Sequence, residues 1–70
     1  MAVSYDKLWK MLIDKKMKKT DLIKNAKISS NALAHLGKDE PVSIECVEKI
    51  CRFLECTPND IIDFVTEEEL

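Results

Sequence analysis

The chain has 70 residues, of which 46% are hydrophobic, with one Gly and two Pro, and its formal net charge is −2. A chain of this length forms a single domain, here residues 1–70, without room for a deep catalytic cleft, and its few turn residues argue against an all-β fold. We therefore expect an all-α protein. Because it lacks both a membrane-spanning apolar run and a signal peptide, we expect it in the cytoplasm. It is not expected to be an enzyme, because no metal-ligand spacing, Gly-rich phosphate loop or nucleophile–base arrangement is present.

The first predicted helix spans residues 5–16. Its apolar side chains recur at the spacing of one helix face, and Ser4 stands where an N-cap is expected. The residues of this stripe are Tyr5, Leu8, Trp9, Leu12 and Ile13. Such a stripe packs against other helices, so the two aromatic residues are predicted to anchor the core and not to bind a ligand.

Two short helices follow, over residues 19–26 and 30–37. The apolar positions of the second helix are Leu22, Ile23 and Ala26. Ser29 is a good N-cap for the third helix, whose inward side chains are Leu33 and Leu36. Two helices of about two turns bury both apolar faces only if they cross steeply, which holds the third helix out from the body of the domain.

Pro41 interrupts the chain, and Ser43 then caps a fourth predicted helix over residues 44–54. The predicted buried stripe of that helix is Ile44, Val47, Ile50, Cys51 and Leu54. The run Thr57-Pro58-Asn59-Asp60 places a cap, a Pro at the first helical position and an acid at the third. It predicts a fifth helix over residues 58–65, followed by an acidic tail at 66–70.

Cys46, Cys51 and Cys56 are spaced by five residues. An odd number at this spacing fits neither a disulfide framework nor the short pairs of a zinc site, so we interpret them as reduced thiols that pack as small apolar groups. A metal or redox role is the weaker alternative. We accordingly predict no metal, no cofactor and no small-molecule substrate.

The charges are divided between two poles. Residues 1–38 carry nine lysines against three acids, which gives +6, whereas residues 39–70 carry Lys49 and Arg52 against ten acids, which gives −8. A concentrated basic face attracts a polyanion even when the total charge is slightly negative. Charge alone does not distinguish such a face from a merely solvated surface.

The stretch from Lys19 to Leu36 resembles the helix-turn-helix of the Cro and phage-repressor-like (XRE-type) regulators. Ile28-Ser29-Ser30-Asn31, followed by Leu33 and Leu36, looks like the turn and recognition helix of that family, and Pro41–Leu54 looks like its fourth helix. The resemblance covers about residues 5–65 and implies a compact, five-helix, lambda-repressor-like domain that binds double-stranded DNA through the major groove. Lys27 occupies the turn position that is usually Gly in this family.

Four residues of the third helix are expected to face outward, because Leu33 and Leu36 turn inward. These candidate base-reading residues are Ser30, Asn31, Ala34 and His35. The amide of Asn31 can donate and accept together against the edge of adenine, and His35 can donate to guanine or to a phosphate. The alternatives are that Asn31 assists the Ser29 cap and that His35 has no special role.

Four further residues are candidates for phosphate binding: Lys18, Lys19, Ser29 and Lys38. The resemblance implies this role for Lys19, at the start of the second helix, for Ser29 and for Lys38 in the loop beyond the third. Lys18 joins them because lysines crowd the start of the second helix, where cations are unfavourable unless an anion such as a phosphate is bound.

A homodimer is expected, since a single short helix reads only a few base pairs. The apolar residues available for pairing are Phe53, Ile62, Phe64 and Val65, although all of them could instead complete the core. The leading functional prediction is a small transcriptional regulator, a repressor. The alternative is a protein-interaction module, such as an antitoxin or a regulatory subunit, whose acidic half binds a basic partner.

Overall fold

The computed structural model describes residues 2–65. This part of the chain forms four α-helices, one turn of 3-10 helix and a two-stranded antiparallel sheet. The helices are α1 (Asp6–Asp14), α2 (Thr20–Asn25), α3 (Ser30–Gly37) and α4 (Ile44–Leu54), the 3-10 turn is Pro58–Asp60, and the strands are β1 (Ala2–Ser4) and β2 (Asp63–Val65).

The prediction of a fifth helix over residues 58–65 is wrong, and so is the expectation of an all-α, five-helix domain. The Thr57 amide and hydroxyl both donate to the Asp60 carboxylate, at 3.0 and 3.1 Å, and these bonds lower the pKa of Asp60. The helix start signal is therefore real, but it opens only a single turn. The chain then becomes β2, whose Phe64 pairs with Val3 of β1. The predicted tail at 66–70 lies outside the described residues.

Two of the other four predicted helix starts are confirmed by capping hydrogen bonds. Ser29 Oγ accepts from the Ala32 amide at 3.0 Å, and Ser43 Oγ accepts from the Cys46 amide at 3.1 Å. Each bond satisfies an amide that has no partner within the helix. The predicted N-cap of the first helix, Ser4, lies one residue too early, because Tyr5 occupies the N-cap position of α1.

Each of the four helices is followed by a residue with a left-handed backbone, and none of these residues is Gly. They are Lys16, Lys27, Asp39 and Glu55. Lys27, which stands in the turn between α2 and α3 where the family usually has Gly, has a φ of 61°. A side chain at such a position costs about 1 kcal/mol relative to Gly. The left-handed backbone at Lys16 cannot continue a right-handed helix, and α1 ends at Asp14, two residues before its predicted end.

The core is built from the inward faces of all four helices. The buried hydrophobic residues are Tyr5, Leu8, Leu12, Leu22, Ala26, Ile28, Leu36, Cys46, Val47, Ile50, Cys51, Leu54 and Ile61. Two residues predicted in buried stripes are instead exposed: Ile13 by 72% and Ile44 by 82%. Ile13 lies in the last turn of α1 and Ile44 is the first residue of α4, and at a helix end the neighbouring helices do not cover the whole stripe.

Tyr5 joins the start of α1 to the segment that follows α3. Its ring is buried, its hydroxyl donates to the Glu40 carbonyl at 2.8 Å, and its amide donates to the Asp39 carboxylate at 3.3 Å. Burial raises the pKa of Tyr5, so the neutral hydroxyl remains a hydrogen-bond donor. These bonds fix the position of the end of α3 relative to α1.

The three cysteines are free thiols. Cys46 and Cys51 are buried in α4, and Cys56 is half-buried. Burial raises the pKa of Cys46 and, together with the neighbouring Cys51, raises the pKa of Cys56 to about 11. Both thiols therefore stay protonated at neutral pH, in keeping with the predicted packing role. Within residues 2–65, no helix has the length and apolar character needed to cross a membrane.

Candidate nucleic-acid interface

Helices α2 and α3 form a compact unit, and the apolar side chains around the turn between them are buried in the core. Leu22, Ala26 and Ile28 are buried, and the Ile28 amide donates to the Leu22 carbonyl at 3.4 Å. Leu36 anchors the other end of α3 in the core. The helix is therefore held by the turn at its start and by an apolar side chain in its last turn.

The outward side of α3 carries the four candidate base-reading residues. Ser30, Asn31, Ala34 and His35 are all exposed. Among the described residues, neither the Ser30 hydroxyl nor the Asn31 amide has a side-chain hydrogen-bond partner, so the alternative that Asn31 assists the Ser29 cap finds no support. Both side chains are free to bind an external partner.

His35 differs from its neighbours because its ring is already engaged. The Nδ1 atom lies 3.0 Å from Oε1 of Glu40, in the segment after α3. A carboxylate can only accept, so this contact makes Nδ1 the donor and leaves Nε2 as the atom that faces outward. A neutral ring then presents Nε2 as an acceptor, and only a charged ring presents it as a donor.

The four candidate phosphate-binding residues lie at the ends of α2 and α3. Lys18, Lys19, Ser29 and Lys38 are all exposed. The Ser29 oxygen accepts the capping bond from Ala32, which leaves its hydroxyl hydrogen free to donate. Lys38 directly follows α3, and its amide bonds back to the His35 carbonyl at 3.2 Å.

The positive charge at the start of α2 is better balanced than the sequence indicates. One oxygen of the Asp21 carboxylate accepts from the Lys18 amide at 3.0 Å, so an acid of the chain itself already stands at this cationic end. Lys19 is held differently, because its Nζ lies 4.4 Å from the centroid of the Trp9 ring. Sequence reasoning missed both contacts.

The lysines of the basic half are not neutralised by described acids. Among residues 2–65, ion pairs join Lys49 to Glu45 and Arg52 to Glu48, and the His35 ring is hydrogen-bonded to Glu40. None of the nine lysines between positions 7 and 38 takes part in one of them. Their charge is therefore available to an external polyanion.

The family model of the Cro/C1-type HTH DNA-binding domain matches residues 7–67. The chain belongs to this family. The family is a DNA-binding domain of transcriptional regulators and not an enzyme class.

A relative and a solved structure agree with this assignment. The chain is 34% identical over 61 residues to an uncharacterized HTH-type transcriptional regulator, YozG, of Bacillus subtilis (strain 168), covering 84% of this chain and 73% of that protein. It superimposes on the crystal structure of the transcriptional regulator VanUg with a TM-score of 0.90 and 45% identity, covering 94% of this chain and 88% of that one.

This Cro/C1-type domain also has a cleft beside α3 that sequence reasoning missed. The cleft, of about 370 Å³, is bordered by Lys27, Ser29 and Lys49, together with Glu45, the acid that pairs with Lys49, so an ion pair of α4 lies close to the start of α3. Lys49 belongs to the acidic half, and the charge count of that half hid it. Its spatial position follows from the packing of α4 and not from any local signal.

Proposed function

We propose that this domain binds specific double-stranded DNA sequences as a small transcriptional repressor, with α3 in the major groove. The observation that carries the proposal is the outward side of α3, where Ser30, Asn31 and Ala34 are exposed, in a half of the chain whose lysines form no ion pair with a described acid. Family membership supports binding to DNA. Occupation of an operator by so small a domain would repress by excluding other proteins.

Each of the four outward side chains of α3 has a proposed role that suits its chemistry. The free amide of Asn31 binds the N6 and N7 edge of adenine, a contact worth about 1–3 kcal/mol of discrimination. Ser30 contacts a neighbouring base without a strong preference, and Ala34 offers a methyl group to thymine. His35 accepts from a base amino group when neutral, because Glu40 holds its other nitrogen.

The phosphate contacts of Lys18, Lys19, Ser29 and Lys38 position the domain on the duplex. If the three lysines neutralise three phosphates, the logarithm of the binding constant falls with the logarithm of salt concentration at a slope of roughly −2.7 per domain. Titration of a labelled duplex at several salt concentrations measures this slope. A slope near zero would exclude the electrostatic part of the proposal.

A homodimer completes the proposed function, through an apolar surface formed by Val3, Pro41, Ile44, Ile62 and Phe64. Phe64 is 62% exposed and stands beside a cleft of about 200 Å³ that these residues line. A projecting aromatic side chain and an apolar cleft on the same surface are what a two-fold contact requires, since each copy can insert Phe64 into the other. Two-fold pairing of this kind spaces recognition helices about 34 Å apart on a palindrome.

Of the residues predicted to pair, Phe64 is the most accessible, because Phe53, Ile62 and Val65 are half-buried. Sedimentation of the wild-type protein is expected to show a dimer, and Phe64→Ser should shift it to a monomer. Ile13→Ser is the matched control, because Ile13 is also a large exposed apolar residue but does not line this cleft. A wild-type monomer at high concentration, with and without DNA, would contradict the dimer.

A further inference from the structure

Trp9 and Lys19 come from different helices and meet at the surface. Trp9 is half-buried in α1, whereas Lys19 is exposed and immediately precedes α2. The Nζ atom of Lys19 lies 4.4 Å from the centroid of the indole ring, well within the range of a cation–π contact. Of the lysines in the described segment, Lys19 is the one that lies over an aromatic ring.

The indole ring is only partly a core group. One part of it packs against the hydrophobic core. Its Nε1–H has no acceptor among residues 2–65, and no buried side-chain nitrogen or oxygen in that range lacks a partner, so this polar edge is open to water. The core thus fixes the ring on one side while its other side remains accessible. The ring can therefore act as a rigid support for the flexible Lys19 side chain.

We propose that Trp9 is a positioning residue for DNA binding, which holds the Lys19 ammonium where it receives a backbone phosphate. The inference rests on the proposed function. Lys19 has no described ion-pair partner, and an ammonium that rests on a ring face keeps its remaining N–H bonds directed away from the ring. The side chain can therefore bind a phosphate oxygen without leaving Trp9.

The advantage is entropic. A free lysine side chain loses rotamer freedom when it binds a phosphate, whereas a side chain already held by the ring loses less. Ordering such a side chain at an interface costs affinity, and avoiding part of that cost corresponds to a gain of about two- to five-fold. Lys18, which does not lie over a ring, should show no such dependence on Trp9.

A double-mutant cycle on the full chain tests this, with affinity for a fluorescein-labelled duplex as the measurement. Trp9→Leu should weaken binding about two- to five-fold in the wild-type background and leave it unchanged in the Lys19→Met background. In a Lys18→Met background, the matched control, Trp9→Leu should weaken binding by the same factor as in the wild type. Lys19→Met should also make the salt slope shallower by about 0.9.

Trp9→Phe keeps an aromatic face and should retain most of the affinity that Trp9→Leu loses. If thermal unfolding shows that Trp9→Leu does not fold, Trp9→Met, which keeps a large apolar side chain without a ring, replaces it with the same expected loss. Equal weakening by Trp9→Leu with and without Lys19 would mean that Trp9 acts through the fold, and would overturn the positioning role while DNA binding stands. No effect of Lys19→Met on affinity or slope would overturn it too. Failure of the wild type to bind any duplex would instead remove the proposed function itself.

Discussion

The double substitution Lys18→Glu with Lys19→Glu is expected to weaken binding to duplex DNA by about 100-fold or more at 0.1 M salt. Two attractive contacts are lost, and two carboxylates are placed against the phosphates that the lysines were to bind. Titration of a labelled duplex by fluorescence anisotropy gives the affinity. The salt slope of the variant should also be shallower by about 1.8, since two fewer phosphates are neutralised.

The matched control is Lys7→Glu with Lys10→Glu, which makes the same change in net charge. Both lysines lie in α1, and Lys7 donates to the Asn59 carbonyl at 3.2 Å, so the control reports the effect of overall charge without the proposed phosphate contacts. We expect a loss of less than about 10-fold. If both pairs weaken binding equally, the lysines act only through net charge. If Lys18→Glu with Lys19→Glu has no effect, the protein-interaction alternative gains support.

Ile50→Ala is expected to lower the free energy of unfolding by about 2–5 kcal/mol, because Ile50 is completely buried in the middle of α4 and the truncation leaves a cavity. A domain of this size has a total stability of only about 4–10 kcal/mol, so a large part of it would be lost. Urea denaturation followed by circular dichroism gives the difference directly.

Ile44→Ala, the same substitution in the same helix, is the control. Ile44 is 82% exposed, so its truncation should change the stability of the monomer by less than about 0.5 kcal/mol. The comparison is made at a concentration below any dimerisation, because Ile44 belongs to the apolar surface proposed for pairing. Similar losses at both positions would contradict the description of the core.

The sequence and the structure agree where the signal is local and disagree where it depends on distant segments. Ser29 and Ser43 act as N-caps within three residues of their donors, and these starts were predicted correctly. The two-stranded sheet pairs Val3 with Phe64, residues so far apart in the sequence that no local pattern predicts the contact. The helix signal at Thr57 was genuine, but strand pairing replaced the helix beyond one turn.

The candidate site follows the same division. Outward exposure of Ser30, Asn31, Ala34 and His35 was predictable, because helical periodicity fixes which side of α3 faces the core. The contacts of Glu40 with His35 and of Trp9 with Lys19 were not predictable. They depend on side chains from separate segments whose relative positions are set by the packing of the helices.

Selection of bound sequences from random duplex DNA, with the wild type compared against Asn31→Ala, tests most directly whether α3 reads DNA. The account predicts that the wild type selects a defined sequence and that Asn31→Ala loses the preference for adenine at one position of each half-site, while the other positions remain. Identical preferences for the two proteins, or no enriched sequence for the wild type, would contradict it.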